Sequence, residues 1–367
     1  MIKIALLGLG TIGLSTYKLI HEKLPNIEIR YVLDKDISKK FIVGDILTSN
    51  YEDIINDPEI TVVIEMLGGL DFAYKCVKQA LLSRKNVITS NKEVVAAKMV
   101  ELLDIAKQNN VYFLFEASVG GGIPIINYLA LNQKINDIVS ISGIINGTTN
   151  YILTRMAKDK LSFNDALAMA QKLGFAEANP QADIEGYDLM RKIAILAMLG
   201  YQTEINPNQI YRYKMTNVPT TFLEYATKLN KTLKYLAVAT LQGNIVNIRV
   251  EPVAVSNDTL FAHIENENNL ICVDGQIGHK QMFYGLGAGG MPTAMAVVED
   301  LIIVLESRGK LAFEPRNKYR LSHIDIPSSH YLIMTKEEHL YVSELISAVE
   351  LDNMLDQIVF YARIEGE

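Results

Sequence analysis

A glycine-rich turn in a defined setting constrains this chain more than any other feature. Residues Ile2 to Leu7 are apolar apart from Lys3, as in a strand buried on both faces of a parallel sheet. They run into Gly8-Leu9-Gly10-Thr11-Ile12-Gly13, after which Leu14, Tyr17 and Ile20 recur at helical spacing. Strand, GxGxxG and helix in that order make a dinucleotide-binding turn. The first glycine permits the tight turn, the second lets a pyrophosphate approach the backbone, and the third lets helix and strand pack closely. The helix N-terminus then offers N–H groups and the positive end of its dipole to the phosphates.

A second strand, Ile27 to Leu33, is followed by Asp34. An acid there takes the ribose hydroxyls of NAD. Lys35, Lys39 and Lys40 are close enough in sequence to meet a 2′-phosphate instead, so NAD and NADP both stay open, with Asp34 tilting the balance towards NAD or dual use. Further strands are expected at Thr61–Ile64, Asn86–Thr89 and Val111–Phe115, with helical patterns between them. That alternation is a doubly wound α/β sheet of Rossmann type, and its ligand belongs at the strand ends. Lys92 follows one of those strands and can reach the active end of a cofactor; a plain surface lysine is the alternative. Gly120–Gly122 can supply close backbone approach, carbonyls for a cation, or a flexible connection.

The second half is expected to be α+β. Ile138–Ile145 reads as a strand, and Thr232 to Ser256 as further strands of an open sheet. There Val246, Ile248 and Val250 alternate with Asn247, Arg249 and Glu251, the period of a sheet with one wet face. Glu177, Asp183, Asp188 and Lys192 crowd into one stretch ahead of an apolar helix. Asp188 and Lys192, four apart, share one helix face, while Ile193, Leu196, Ala197 and Gly200 form a stripe that can bury. Charges at the start of a buried helix are costly unless paired or used.

Composition closes off other classes. A chain of 367 residues with 49% hydrophobic and 21% charged residues suits a globular protein of two or three domains. No apolar run approaches the ~20 residues of a membrane span. The start lacks a signal-peptide cleavage site. A net charge of −7 argues against nucleic acid as a partner. Two cysteines, Cys76 and Cys272, make no disulfide framework, so a cytoplasmic location is expected. The six histidines show no helical zinc spacing.

The motifs together resemble the homoserine dehydrogenase family. They are GLGTIG at 8–13, TSNKEVVA at 89–96, EASVGGGIP at 116–124, GIINGTTNYIL at 143–153, GFAEANPQADIEGYDLMRK at 174–192 and GLGAGGMPTAMAVVEDL at 285–301. The resemblance implies an NAD(P)-dependent oxidoreductase interconverting L-aspartate 4-semialdehyde and L-homoserine, a step towards threonine and methionine. It implies Lys192 as general acid/base, Asp188 as its partner and a substrate contact, and Glu177 and Asp183 as holders of the substrate ammonium and neighbouring polar atoms. Lys92 would stand near nicotinamide and substrate. Gly8, Gly10, Thr11, Ile12 and Gly13 would hold the phosphates, with Asp34 and Lys35 at the ribose and Gly287 a further cofactor contact. Carbonyls of Glu116, Val119, Gly121 and Ile123 would hold a structural sodium ion. A homodimer is also implied.

The expected domains are a nucleotide-binding domain over 1–130, a catalytic and dimerisation domain over 131–310 whose helix 293–305 returns to the nucleotide domain, and an extension over 311–367. That extension has the segments 331–334, 351–356 and 359–364 for a strand, a helix and a strand. It lacks the opening loop of a complete amino-acid-binding regulatory domain. Two other readings remain. An acylating aldehyde dehydrogenase needs a cysteine nucleophile, and Cys76 sits among Ala73, Val77 and Ala80 in a core pattern. A catalytically silent dinucleotide-binding paralogue would not require Lys92, Glu177, Asp188 and Lys192 together.

Overall fold

A computed structural model of the chain describes residues 2–307, 313, 319–322, 325 and 327–365. The first elements are β1 (Ile2–Leu7), α1 (Thr11–Lys23), β2 (Ile27–Leu33), α2 (Lys40–Val43), β3 (Leu47–Thr48), α3 (Glu52–Ile55), β4 (Ile60–Glu65), α4 (Asp71–Leu82), β5 (Asn86–Thr89), α5 (Lys92–Asn109), β6 (Phe113–Leu114) and α6 (Ile126–Asn132). There follow β7 (Ile138–Ile144), α7 (Gly147–Asp159), α8 (Phe163–Lys172), α9 (Gln181–Ile184), α10 (Tyr187–Tyr201), β8 (Tyr211–Arg212), α11 (Thr220–Lys228), β9 (Lys231–Gln242), β10 (Ile245–Ser256), β11 (Asn268–Gly275) and β12 (His279–Leu286). The chain ends with α12 (Gly290–Leu305), β13 (Arg320–Leu321), β14 (Tyr331–Thr335), β15 (Leu340–Val342), α13 (Ala348–Met354) and β16 (Ile358–Ile364). These elements fall into two compact units, Met1–Ile135 with Leu286–Pro315, and Asn136–Gly285 with Arg316–Glu367.

The first unit is the expected doubly wound sheet. Its six strands run β3-β2-β1-β4-β5-β6, every pair parallel. Chain order reverses between β1 and β4, the switch point where such sheets open a crevice for a ligand. The apolar run in β1 is there because both faces are covered: Ile4 and Leu6 share a core with Ile20 of α1 and with Val297 and Leu301 of α12. The strand expected at Val111–Phe115 shrinks to Phe113–Leu114.

The second unit holds a mixed sheet in the order β12-β11-β7-β9-β10-β16-β14-β15, with β8 and β13 also paired to β10. The buried helix α10 packs against β7, β9 and β10. It buries more than the expected stripe, since almost every residue from Asp188 to Tyr201 is covered. The wet face expected on β10 is a correction. Asn247, Arg249 and Glu251 are all buried. Asn247 Nδ2 donates to the Ser322 carbonyl at 2.7 Å, Arg249 reaches the Tyr331 hydroxyl at 3.3 Å, and Arg363 Nε donates to Glu251 Oε1 at 2.7 Å. The C-terminal segment therefore covers that face with polar partners, which is what lets polar side chains stay buried. This segment supplies the expected strand, helix and strand as β14, α13 and β16, and adds β15. The expected domain boundary at 310/311 lies outside the described residues.

Candidate active site

In the first unit the phosphate turn is built as its residue types require. A Cβ on Gly13 would lie 2.1 Å from the Gly8 carbonyl oxygen, so only glycine lets α1 start so close to β1. A Cβ on Gly10 would meet nothing within 4 Å, so internal packing does not require a glycine there and the space beside it is open. Gly10 is also the N-cap of α1 and gives no side-chain cap, leaving the first-turn amides of this helix to an anion. Thr11 and Ile12 form that first turn.

Asp34 directly follows β2 and meets this turn at Leu9. Its Oδ2 accepts from the Leu9 amide and from Lys39 Nζ, both at 2.8 Å, and its Oδ1 accepts from the Asp36 amide at 2.9 Å. Burial alone would raise this carboxyl, but Lys39 and the two amides outweigh it and hold the group below its ordinary range. Lys35 is elsewhere, with Nζ 5.9 Å from the centre of the Phe72 ring. Of the three candidate lysines, Lys39 is the one paired with Asp34. Lys40 pairs with Asp45 at 2.9 Å.

Lys92 is the first residue of α5, half-buried, directly after the Asn91 cap. The expected cation loop and the expected cofactor contact meet each other: a Cβ on Gly121 would lie 2.7 Å from the Gly287 carbonyl carbon. Glu116 uses its side chain to hold the start of α6, accepting from the Ile126 and Asn127 amides at 2.8 Å, while its own amide donates to Asp300 at 2.8 Å. Burial pushes the carboxyls of both Glu116 and Asp300 up. The carbonyls of Val119, Gly121 and Ile123 accept no hydrogen bond among the described residues. Cys76 is a core thiol of α4, pushed up to about 12 by burial, and offers no nucleophile.

In the second unit the strand β7 delivers Ile145 and Asn146 to the head of α10. Lys192 Nζ donates to Asp188 Oδ2 and to the Ile145 carbonyl, each at 2.8 Å. Both side chains are under a tenth exposed, so the two charges meet as a buried pair. Asn146 Nδ2 donates to Asp188 Oδ2 at 2.9 Å and to Asp183 Oδ1 at 2.7 Å, so one amide joins both acids. Burial and the adjacent Asp188 charge raise the Asp183 carboxyl, against the Asn146 hydrogen bond and the Lys192 charge. Such a cluster of two acids, an amide and a lysine can bind an ammonium group and move a proton at an oxygen.

The structure thus joins Asp183, Asp188 and Lys192 but not Glu177. Glu177 is exposed in the segment between α8 and α9, and its carboxylate makes no ion pair or hydrogen bond among the described residues. Asn146 was missed. Its signal was present, an asparagine between an apolar strand and Gly-Thr-Thr, the pattern of an N-cap. It does cap α7, accepting from the Thr149 amide at 2.9 Å, and its amide nitrogen is left for the acids.

The family model for homoserine dehydrogenase matches residues 124–302, and the model for the homoserine dehydrogenase NAD binding domain matches residues 8–116. The homoserine dehydrogenase of Bacillus subtilis is 38% identical over 317 residues, covering 83% of this chain and 73% of that protein. That of Helicobacter pylori is 34% identical over 379 residues, covering 98% and 89%. The crystal structure of a homoserine dehydrogenase from Thiobacillus denitrificans superposes with a TM-score of 0.88 at 30% identity, over 99% of this chain and 98% of that one. The chain belongs to the homoserine dehydrogenase family, oxidoreductases that act on a CH–OH group with a nicotinamide dinucleotide.

Proposed function

We propose that Lys192 performs the proton transfer in the interconversion of L-aspartate 4-semialdehyde and L-homoserine. The observation that carries this reading is the buried Lys192–Asp188 pair held by Ile145 and Asn146. When bound, the nicotinamide supplies or accepts the hydride. In the reductive direction negative charge grows on the aldehyde oxygen, and the Lys192 ammonium stabilises it and gives it a proton. In the oxidative direction the amine form takes the hydroxyl proton. Asp188 fixes the Lys192 side chain in one rotamer and, with Asp183, draws the substrate ammonium. Glu177 joins these acids through movement of its exposed segment. Lys92 holds a polar group of substrate or cofactor at the start of α5.

The cofactor site fits both NAD and NADP. Gly8, Gly10, Thr11, Ile12 and Gly13 receive the pyrophosphate, and Asp34 receives ribose hydroxyls when Lys39 lets go of it. A sodium ion on the carbonyls of Glu116, Val119, Gly121 and Ile123 is supported by the absence of other partners for three of them and by the all-oxygen donor set. The reading further includes a cytoplasmic homodimer feeding threonine and methionine synthesis. It assigns residues 1–130 to nucleotide binding, 131–310 to catalysis and dimerisation, and 311–367 to an extension that is not a complete regulatory domain.

The test is L-homoserine oxidation by the purified protein, run with NAD and with NADP in separate reactions. Homoserine-dependent formation of reduced nicotinamide with at least one of them is expected. Cofactor binding without any turnover would instead make the chain a silent paralogue.

A further inference from the structure

Glu65 ends β4 with a carboxylate that is fully buried, at the switch-point edge of the first sheet. It is the hub of a hydrogen-bond network. Thr89 at the end of β5 donates its hydroxyl to Oε2. The Leu67 amide donates to Oε1 at 2.7 Å, and Asn91 Nδ2 approaches the same oxygen at 3.4 Å. Asn91 also donates to the Gly69 carbonyl at 2.8 Å, while its Oδ1 caps α5 by accepting from the Glu93 and Val94 amides at 3.0 and 3.3 Å. The Asn91 amide returns to Thr89 Oγ1 at 2.9 Å. One carboxylate therefore ties the loop after β4 to the loop that launches α5, and Lys92 is the first residue of that helix.

The same loop supports the phosphate turn. The Met66 amide donates to the Leu7 carbonyl at 2.8 Å, and a Cβ on Gly8 would lie 2.7 Å from the Met66 carbonyl oxygen. Such a hub is more than a satisfied core group, because each of its hydrogen-bond partners lies at a strand end or in the loop after one, the edge where this fold opens its ligand crevice.

We infer that Glu65 is a positioning residue for the reaction, its carboxylate locking the 66–69 loop to the start of α5 and so setting where Lys92 is presented. This rests on the reading that Lys92 acts on substrate or cofactor. The ionised carboxylate accepts from all three donors at once, whereas the protonated acid carries a hydrogen that must displace one of them. Burial pushes this carboxyl up to about 7 against those three hydrogen bonds. Its neighbours come from the sheet, α4 and α5. In the sheet they are Leu7 of β1 and Thr89 of β5. From α4 comes the Cys76 thiol, neutral because burial and the Glu65 charge push it up to about 12. The first turn of α5 carries Lys92 and Glu93. The network is therefore complete above the Glu65 ionisation and loosened below it.

The experiment compares wild type and Glu65→Gln in homoserine oxidation across pH, with cofactor affinity measured by fluorescence titration. Glutamine keeps the shape but leaves the Thr89 hydroxyl without its acceptor. Expected is a fall in kcat/KM of roughly 10–100-fold, the scale of a small misplacement at a reacting centre, larger than any accompanying change in cofactor Kd. The wild-type rise of kcat/KM with pH through about 7 should vanish in the variant. Rates and pH profile equal to wild type would overturn the inference alone. A wild type without homoserine turnover would overturn the reaction reading and this inference with it. Should Glu65→Gln not fold, Thr89→Val and Thr89→Ser decide: loss of kcat in the first with recovery in the second supports the role, and equal rates refute it.

Discussion

Lys39 and Asp34 form an ion pair at 2.8 Å beside the phosphate turn. Asp34 alone would favour a free ribose hydroxyl and repel a 2′-phosphate, by hydrogen bonding in one case and like charge in the other. Lys39, 2.8 Å from it, offsets that charge, and under the proposed reading it would pair with a 2′-phosphate instead. Replacing Lys39 by alanine should raise the KM for NADP about tenfold or more, the scale of one charge-assisted hydrogen bond, and leave that for NAD unchanged or lower. Steady-state kinetics with each cofactor decides it; equal changes for both would remove Lys39 from the choice. The Asp188–Lys192 pair answers to a different constraint. Two charges brought under a tenth exposure lose their hydration and need protein partners in its place. Ile145 gives one to Lys192 Nζ and Asn146 gives one to Asp188 Oδ2, which makes the turn after β7 as much a part of the site as the charges themselves.

Elements carry these residues to their places, and α10 depends on how it begins. Gly186, its N-cap, has φ +80, and a Cβ there would stand 2.2 Å from the Tyr235 hydroxyl and 3.0 Å from Val250 Cγ1. Gly186→Ala should cost about 2–4 kcal/mol, adding the left-handed penalty to overpacking. Gly243→Ala, at φ +58 in open space, should cost only the backbone part, about 1 kcal/mol. Denaturant unfolding of both checks it, and equal losses would mean the clash at Tyr235 relaxes freely. The sheets and helices were largely legible in the sequence because their signals are local. Apolar runs gave β1, β2, β4 and β5, and the four-residue spacing gave the Asp188–Lys192 contact. What escaped depends on distant partners. Asn247 and Glu251 look wet by alternation, yet each is covered by a residue 75 or 112 positions further along. Asn146 carries an N-cap signal, but nothing nearby says that its amide will bridge acids 37 and 42 positions away. Glu177 shares the acidic stretch yet lies outside the hydrogen-bonded cluster, since proximity in sequence does not fix where a loop side chain points.

At the scale of the whole chain, the residues proposed to recognise the cofactor and those proposed to move the proton fall in separate units. The phosphate turn, Asp34 and Lys92 belong to the first, and Asp183, Asp188 and Lys192 to the second. The C-terminal segment is part of the second unit's sheet, joined through β16 to β10 and by Arg363 to the buried Glu251. Among the described residues no helix is long and apolar enough to cross a membrane. Separate assignment makes the central claim open to one decisive measurement, homoserine oxidation by Lys192→Ala beside the wild type, with cofactor Kd measured on the same preparations. Turnover should fall by about 10²–10⁴, the range of a general acid/base, while the Kd stays at the wild-type value. Turnover within a few-fold of wild type would contradict the account, because Lys192 would then not be the group that moves the proton.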